Sequence, residues 1–433
     1  MSQAQTFRSR EYQTTAVELI QATPPEKTPA LVVMPTGSGK THIFCNLIKV
    51  NPDKKTLVLV NRIQLVKQTA RQIEAIAGIT PAIYCGSLNS KEIGRVTVAS
   101  TQSIKSEHLK KFEFIIHDEA HNKNDLLHER HVPPGCKWIG FTATPFVGKK
   151  LIYAEDKFYS YVLHEMSIKE LTEAGYLCRY KMKRGDDEFD VSNVRITAGE
   201  FNTKDLEDLV DVEKVTKQIE SLLVETSARK KIAVICISIA HCEVVRDLIE
   251  QQEPAAMTHS RLSQSQQEAE LEKFEKGDCR FLISVNQVSE GYDFPAIDCV
   301  ALMRPTRSPR LMKQAIGRGL RLFPGKEDCL VLDYGQVIKH CGTPNRPLVI
   351  EKSRKEEAKE ATGECPVKAC PQCGYFVNLR AETCYNCGHL LIEKKPIDLS
   401  KLTEESEQAQ EKIDGWYLAK SFDFHKYGVS RNG

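Results

Sequence analysis

From residue 30 onward, short runs of aliphatic and β-branched residues alternate with longer stretches whose apolar positions recur every three or four residues. ALVVMP (30–35) precedes the helix-patterned THIFCNLIKV, and TLVLVN (56–61) precedes RIQLVKQTARQIEAIAG, where Gly78 is a natural stop. RVTVAS (95–100), FEFIIHDEAH (112–121) and KWIGFTATP (137–145) continue the series. Strands alternating with helices predict a parallel sheet covered by helices on both faces. The rhythm restarts at KIAVICIS (231–238) and runs through RFLISVN (280–286), IDCVALMRP (297–305) and DCLVLDYG (328–335). Two α/β domains of similar size are predicted, over residues 1–160 and 231–345.

Residues 161–230 are more polar and partly helical (SIKELTEAGYL, DLEDLVDVEKVTKQIESLL), with the acidic patch GDDEFD, and read as a connector with accessory helices. The mixed-charge run EKSRKEEAKEATGE marks a linker over 346–364, followed by a cysteine-rich module (365–392) and a tail (393–433).

Composition narrows the class without naming a chemistry. A chain of 433 residues, 27% charged and 41% hydrophobic, is that of an ordinary soluble protein. A formal net charge of +2 advertises no whole-molecule basic field, so nucleic acid would have to bind in a local groove. MSQAQTFRSREYQ lacks a charged-then-apolar targeting pattern, and apolar runs such as IAVICISIA reach about half the length a bilayer requires. No membrane partner is expected. Most of the 15 cysteines stand singly in apolar runs, as Cys45, Cys236 and Cys299 do, and read as buried reduced thiols of a cytoplasmic protein.

MPTGSGKT (34–41) departs from the strict P-loop pattern only in its missing first glycine. Glycines let backbone N–H groups close around phosphate oxygens, which makes Pro35, Thr36, Gly37, Ser38, Gly39, Lys40 and Thr41 the candidate cradle for ATP. Lys40 would reach the β/γ oxygens and the Thr41 hydroxyl would hold Mg2+. A Gly/Ser turn with an incidental lysine is the bland alternative. It is weakened by the strand before the motif and the helix after it, which set a helix N-terminus against the anion. In IIHDEAH, Asp118 and Glu119 end a strand at the carboxyl edge of the sheet, where ligands of open α/β sheets bind. Asp118 is the second candidate ligand of Mg2+, and Glu119 the candidate base for an attacking water.

MPTGSGKT, DEAH, GFTATP and QAIGRGLR, in that order, resemble the motifs of superfamily 2 helicases and translocases, over residues 7–335. The resemblance implies two tandem RecA-like domains and an ATP-driven motor on nucleic acid. RSREYQ (8–13) is similar to the family's adenine-reading element, implying that Gln13 pairs with the adenine edge, with Arg10 nearby. VNRIQLVKQ and VASTQSI look like the elements that grip a nucleic-acid backbone, which makes Arg62, Thr101 and Gln102 candidate phosphate contacts. TAT (142–144) would link the nucleotide site to that groove. SVNQVSEGYDFP resembles the second domain's coupling motif, centred on Glu290, Gly291 and Asp293. More narrowly, LMRPTRSPRLMKQAIGRGLRLFPGKEDCLVLDYG, TEAGYL and the cysteine cluster resemble RadD-type DNA-repair helicases and related bacteriophage helicases. That likeness implies work on single-stranded, forked or branched DNA in repair, recombination or replication, in the cytoplasm of a bacterial or phage-infected cell. RNA is the alternative substrate.

A helix over SPRLMKQAIGRGLR would set Gln314, Arg318 and Arg321 about one turn apart on a single face. If the two domains close face to face, that face meets the γ-phosphate, which arginine's planar fork suits better than lysine would. A solvated helix edge would explain the arginines but not Gly317 and Gly319, which cost a helix about 1 kcal/mol each and suggest close backbone approach to another surface. A P-loop kinase or metabolic ATPase would leave QAIGRGLR and TAT unexplained. A nucleic-acid-stimulated switch without processive unwinding uses the same motifs as a motor.

CPQCGYFVNLRAETCYNCGH (370–389) carries two Cys-x2-Cys knuckles, each followed by glycine. This is the layout of a zinc ribbon, with Cys370, Cys373, Cys384 and Cys387 as thiolate ligands of Zn2+. Cys365 and His389 are the alternate donors, and redox-active disulfides the competing reading. Behind its charged linker the ribbon reads as a module separate from the motor, available to DNA or to a protein partner.

Overall fold

A computed structural model describes residues 9–122, 132–147, 150–197, 199–285, 294–345, 367–378 and 381–391. The larger of the chain's two compact units, residues 1–380 with 385–387, contains one mostly parallel and one wholly parallel sheet. The first has eight strands in the order Tyr161–Glu165, Ala30–Val33, Lys137–Thr142, Phe114–Asp118, Thr56–Val60, Val96–Ser100, Ala82–Cys85 and Ser90–Lys91. All its pairings are parallel except that of the last two strands. The second sheet is wholly parallel, in the order Arg179–Arg184, Asp328–Asp333, Cys299–Leu302, Ile232–Ile235, Phe281–Ser284 and Ala255–Thr258.

The alternation of apolar side chains explains why helices cover both faces. Ala30 and Val32 belong to one buried cluster and Leu31 and Val33 to another, so a continuous apolar run fills both sides of its strand. The same split divides Ala233 and Leu282 from Val234 and Ile283 in the second sheet. One cluster runs from Val32 and Phe141 of the first sheet through Leu177 and Cys178 to Met312 and Ile316 beside the second. Helix Ile63–Ala77 buries Val66, Thr69 and Ile73, and stops where expected: Gly78 takes φ 70° and its N–H donates to the Glu74 carbonyl at 3.0 Å. Cys45, Cys236 and Cys299 are buried free thiols. Among the described residues no helix is long and apolar enough to cross a membrane.

The segment between the two rhythms does more than connect. Helices Ile168–Glu173, Thr203–Glu207 and Val212–Glu225 are present, and the segment also adds an edge strand to each sheet, Tyr161–Glu165 to the first and Arg179–Arg184 to the second. The hairpin Val367–Ala369/Phe376–Asn378 does not stand apart from the motor, contrary to the expectation drawn from its linker. It lies against Arg179–Arg184, where Lys183 and Tyr375 form an antiparallel bridge. An open edge strand attracts such pairing because its backbone groups are unsatisfied on one side. The linker and tail expected at 346–364 and 393–433 lie outside the described residues.

Gly140 shows how tightly the first sheet is covered: a Cβ there would lie 2.7 Å from both Leu31 Cδ2 and the Tyr159 ring. Gly140→Ala is expected to lower stability by about 1–3 kcal/mol through overpacking. Urea unfolding followed by circular dichroism measures this, and a change below about 0.5 kcal/mol would mean that Tyr159 repacks freely.

Candidate functional site

The loop after Ala30–Val33 turns on Gly37 and Gly39, at φ 86° and 80°, and helix Lys40–Val50 starts directly behind it. Its N-terminal N–H groups thus face the loop, as a phosphate site requires. The buried Lys40 ammonium donates to the carbonyls of Met34 (3.2 Å) and Pro35 (3.3 Å), which hold it over the loop. The hydroxyls of Thr36 and Ser38 are buried with no hydrogen-bond partner. Orphaned polar atoms are rare in interiors, and two in one glycine loop mark a site built for a polar ligand. Thr41 follows Lys40 in the first turn of the helix.

Asp118 ends the strand that lies one removed from Ala30–Val33, so it reaches the same carboxyl edge. Burial, then the charge of Glu119, push Asp118 up to about 7, while Lys40 and Arg318 pull it back. A buried carboxylate held this high favours a cation beside it, and the Asp118 carboxylate and the Thr41 hydroxyl are both oxygen donors of the kind that Mg2+ takes. Glu119 sits at φ 51°, a left-handed conformation that non-glycine residues seldom adopt outside functional turns. His121 Nδ1 stands 2.9 Å from Thr142 Oγ1, 3.5 Å from Thr144 Oγ1 and 3.3 Å from a Glu119 oxygen. Burial pushes this imidazole down to about 4 against the pull of Glu119, so it is neutral near pH 7. His121 is thus the physical joint between DEAH and TAT, a role the sequence reading left unassigned.

The helix of the second motif spans Pro309–Gly319, capped by Ser308 Oγ, which accepts from Leu311 N–H. Gln314 and Arg318 are buried on it, whereas Arg321 lies beyond its end. The three residues therefore do not share one helical face as expected. The helix stops early because the Lys326 ammonium takes the Gly319 and Arg321 carbonyls (2.6 and 2.8 Å) that a longer helix would use internally. The inference from the glycines holds. A Cβ on Gly317 would lie 2.7 Å from Thr36 Cβ, and one on Gly37 would lie 3.0 Å from Arg321 Cγ and 3.3 Å from the Gly317 carbonyl. Gly319 serves its own domain, since a Cβ there would meet Cys329 Sγ at 2.3 Å. Burial draws Arg318 down to about 10, with Glu119 and Asp118 pulling the other way. A guanidinium from the second sheet and two carboxylates from the first thus share one buried field.

Gln13 is buried against the loop: its amide donates to the Ser38 carbonyl at 3.1 Å, and its oxygen accepts from Arg10 N–H at 3.0 Å. Arg10 donates to the Tyr176 carbonyl (3.2 Å) and lies 5.3 Å from the Tyr176 ring centre, while the Tyr12 and Tyr176 rings are 4.9 Å apart. Sequence reasoning missed both tyrosines, although Tyr12 stands beside Gln13 and Tyr176 lies in TEAGYL.

Arg62 precedes helix Ile63–Ala77, and Thr101 Oγ1 donates to Asn61 Oδ1 at 3.1 Å, so the two predicted backbone-gripping elements meet at the ends of adjacent strands. Gln102 is exposed beside them. Burial, then the charge of Arg310, hold Arg62 below its ordinary value, so cations from both sheets converge there. Gln64 donates to Gln267 at 3.4 Å across the same edge. Glu290, Gly291 and Asp293 lie outside the described residues.

The sulfurs of Cys370, Cys373, Cys384 and Cys387 all lie within 4.8 Å of one another, with Cys370 and Cys387 at 3.7 Å. A tetrahedral centre with Zn–S bonds of about 2.3 Å sets its sulfurs about 3.8 Å apart. The donor set and spacing fit Zn2+.

Two family models match the chain, the res subunit of type III restriction enzymes over residues 6–147 and the helicase conserved C-terminal domain over 213–322. A Saccharomyces cerevisiae protein named as ATP-dependent helicase IRC3 is 30% identical over 75% of this chain and 51% of its own length. Among solved structures, the ATP-dependent type ISP restriction-modification enzyme LlaBIII bound to DNA aligns at TM-score 0.56 and 20% identity, covering 75% of this chain and 27% of that one. Dbp5 of S. cerevisiae bound to RNA and ADP BeF3 aligns at TM-score 0.52 and 16% identity, covering 82% and 92%. The two sheets are RecA-like helicase domains, and the chain belongs to the superfamily 2 helicases. It spans about half the length of the yeast relative.

Native Asp118 binds its proton more tightly than the unfolded chain does. This group therefore favours folding below about pH 4, and that contribution is lost as the pH rises through about 7. Without magnesium or nucleotide, Asp118→Asn is expected to melt with the wild type near pH 4 and a few degrees above it at pH 8. Scanning calorimetry across that range decides the matter, since a gap that does not widen with pH contradicts the buried, raised carboxyl.

Proposed function

We propose that the chain is an ATP-dependent motor on nucleic acid, a DNA helicase or translocase that works by closing and reopening the cleft between its two RecA-like domains. The carrying observation is the close approach of the arginine helix to the phosphate loop, where a Cβ on Gly317 would lie 2.7 Å from Thr36 Cβ, with the buried Arg318 in the field of Asp118 and Glu119. In this reading Gly37, Ser38, Gly39 and Thr41, with Pro35 and Thr36 before them, cradle the phosphates, and Lys40 exchanges its carbonyl partners for phosphate oxygens. Thr41 and Asp118 would hold Mg2+, which would supply charge neutralisation to the phosphates. Glu119 accepts a proton from the attacking water. Arg318 and Arg321, with Gln314 behind them, stabilise the γ-phosphoryl as charge develops. Gln13 and Arg10 read the adenine edge, and Gly291 and Asp293 belong to the coupling element of the second domain. Hydrolysis removes what the two arginines hold, so the cleft loosens, and a strand gripped by Arg62, Thr101 and Gln102 is stepped along. Cys370, Cys373, Cys384 and Cys387 hold a structural Zn2+.

DNA as the track is supported by the likeness to LlaBIII, and a place in repair, recombination or replication by the resemblance of LMRPTRSPRLMKQAIGRGLRLFPGKEDCLVLDYG, TEAGYL and the cysteine cluster to RadD-type DNA-repair helicases. The second reading, an RNA helicase or a nucleic-acid-stimulated switch without processive unwinding, is favoured by the likeness to Dbp5.

An ATPase assay titrated with single-stranded DNA, duplex, forked DNA and RNA separates the readings, with Lys40→Ala as the blank. DNA is expected to stimulate more than RNA, and the reverse order would favour the second reading. Glu119→Gln should abolish turnover while ATP still binds, because it removes the base and leaves the cradle intact. Arg318→Ala and Arg321→Ala should each slow hydrolysis by about 10³-fold with a smaller loss of ATP affinity. Near-normal turnover in any of these three variants would refute the role given to that residue.

A further inference from the structure

Arg179–Arg184 pairs on one side with Asp328–Asp333 and, among the described residues, has no further strand of that sheet on the other. That open side takes the first cysteine knuckle. Arg184 N–H donates to the Gly374 carbonyl at 3.0 Å, beside the Lys183–Tyr375 bridge. Gly374 itself takes φ 71°, and a Cβ on it would lie 3.2 Å from Lys183 Cε and 3.4 Å from the Arg184 carbonyl. Inside the knuckle, Gly374 N–H donates to the Cys370 carbonyl (2.9 Å) and Cys370 N–H to the Tyr375 carbonyl (2.8 Å). Tyr375 packs on the outer core of the second sheet, while Val367 and Phe376 pack on the cluster that contains Leu177, Cys178 and Met182.

The other end of the same stretch grips the arginine helix. Cys178 N–H donates to the Leu320 carbonyl at 2.8 Å, and its thiol to the Gly319 carbonyl at 3.3 Å. Two residues earlier, the Tyr176 carbonyl accepts from Arg10. From Tyr176 to Arg184 the chain thus touches, in order, the adenine side of the nucleotide site, the end of the helix bearing Arg318, and the cysteine knuckle.

We propose that the knuckle Cys370–Gly374 is a positioning element of the ATP site. It clamps the edge strand Arg179–Arg184, and through Cys178, whose N–H and thiol take the Leu320 and Gly319 carbonyls, that strand holds the end of helix Pro309–Gly319 in place and so fixes where Arg318 and Arg321 stand. The proposal rests on reading those arginines as γ-phosphate ligands. A metal on the four thiolates supplies the rigidity of the knuckle. The clamp itself is made of backbone hydrogen bonds, which transmit position without requiring any side chain of the ribbon to reach the nucleotide.

Amide hydrogen exchange on the full chain, with and without chelation of zinc, is the primary test. Chelation is expected to speed exchange about tenfold or more at 176–184 and 317–323 as well as in the hairpin, with the strands at 30–33 and 56–60 unaffected. Gly374→Ala, which keeps every thiol, should retain zinc yet speed exchange at 176–184 and lower kcat for ATP about tenfold, with KM changing less. Gly388→Ala places the same strain (φ 74°) where a Cβ meets nothing within 4 Å among the described residues, and should leave kcat unchanged. Exchange that rises only within 367–391 on chelation, wild-type protein that holds no zinc, or an unchanged kcat in Gly374→Ala would each overturn the proposal. A wild type without ATPase activity would instead defeat the proposed function, and the exchange arm would still report on the clamp.

Discussion

The approach of the Gly317 backbone to Thr36 is the contact on which the rest of the nucleotide site depends. A Cβ on Gly317 would sit 2.7 Å from the threonine side chain, so any other residue there would hold the arginine helix away from the phosphate loop. That distance decides whether Arg318 lies in the field of Asp118 and Glu119 or in water. Once water is excluded, charge pairs interact far more strongly than they do on a surface. The shifts of Arg318 down to about 10 and of Asp118 up to about 7 are two views of this shared desolvation. Helix stability is given up at Gly317 to obtain it.

Around this contact the site is built from conformations that cost energy locally. Glu119 takes a positive φ that only glycine adopts freely, and the hydroxyls of Thr36 and Ser38 are buried without partners. A loop left in this condition favours a ligand that can accept several N–H and O–H donors together, which is what a polyphosphate does. His121, kept neutral by burial, joins Thr142 and Thr144 and stands 3.3 Å from a Glu119 oxygen without adding a charge.

The stretch between the two strand-and-helix rhythms carries more of the architecture than its composition implied. It adds one edge strand to each sheet, and its residues 176–184 touch Arg10, Leu320 and Gly374 in turn. Apolar side chains on this stretch join the cluster that also holds Val32 and Ile316. One short segment thus contacts Arg10, the end of the arginine helix and the cysteine knuckle.

The sequence by itself determined the two α/β rhythms, the phosphate loop, the acid pair, the need for close approach at Gly317 and the four-thiol set. These are local properties, written in periodicity of two and three to four residues, in glycines where backbones must meet, and in ligand spacing. Tertiary structure alone decided that Arg321 falls beyond the helix, because Lys326 captures the last carbonyls, and that His121 joins DEAH to TAT. It alone brought Tyr12 and Tyr176 together and set the cysteine knuckle on Arg179–Arg184, contacts between residues far apart in the chain. No periodicity encodes such pairs, because which edge strand is left open and which carbonyl a lysine reaches are settled only when the whole sheet has formed.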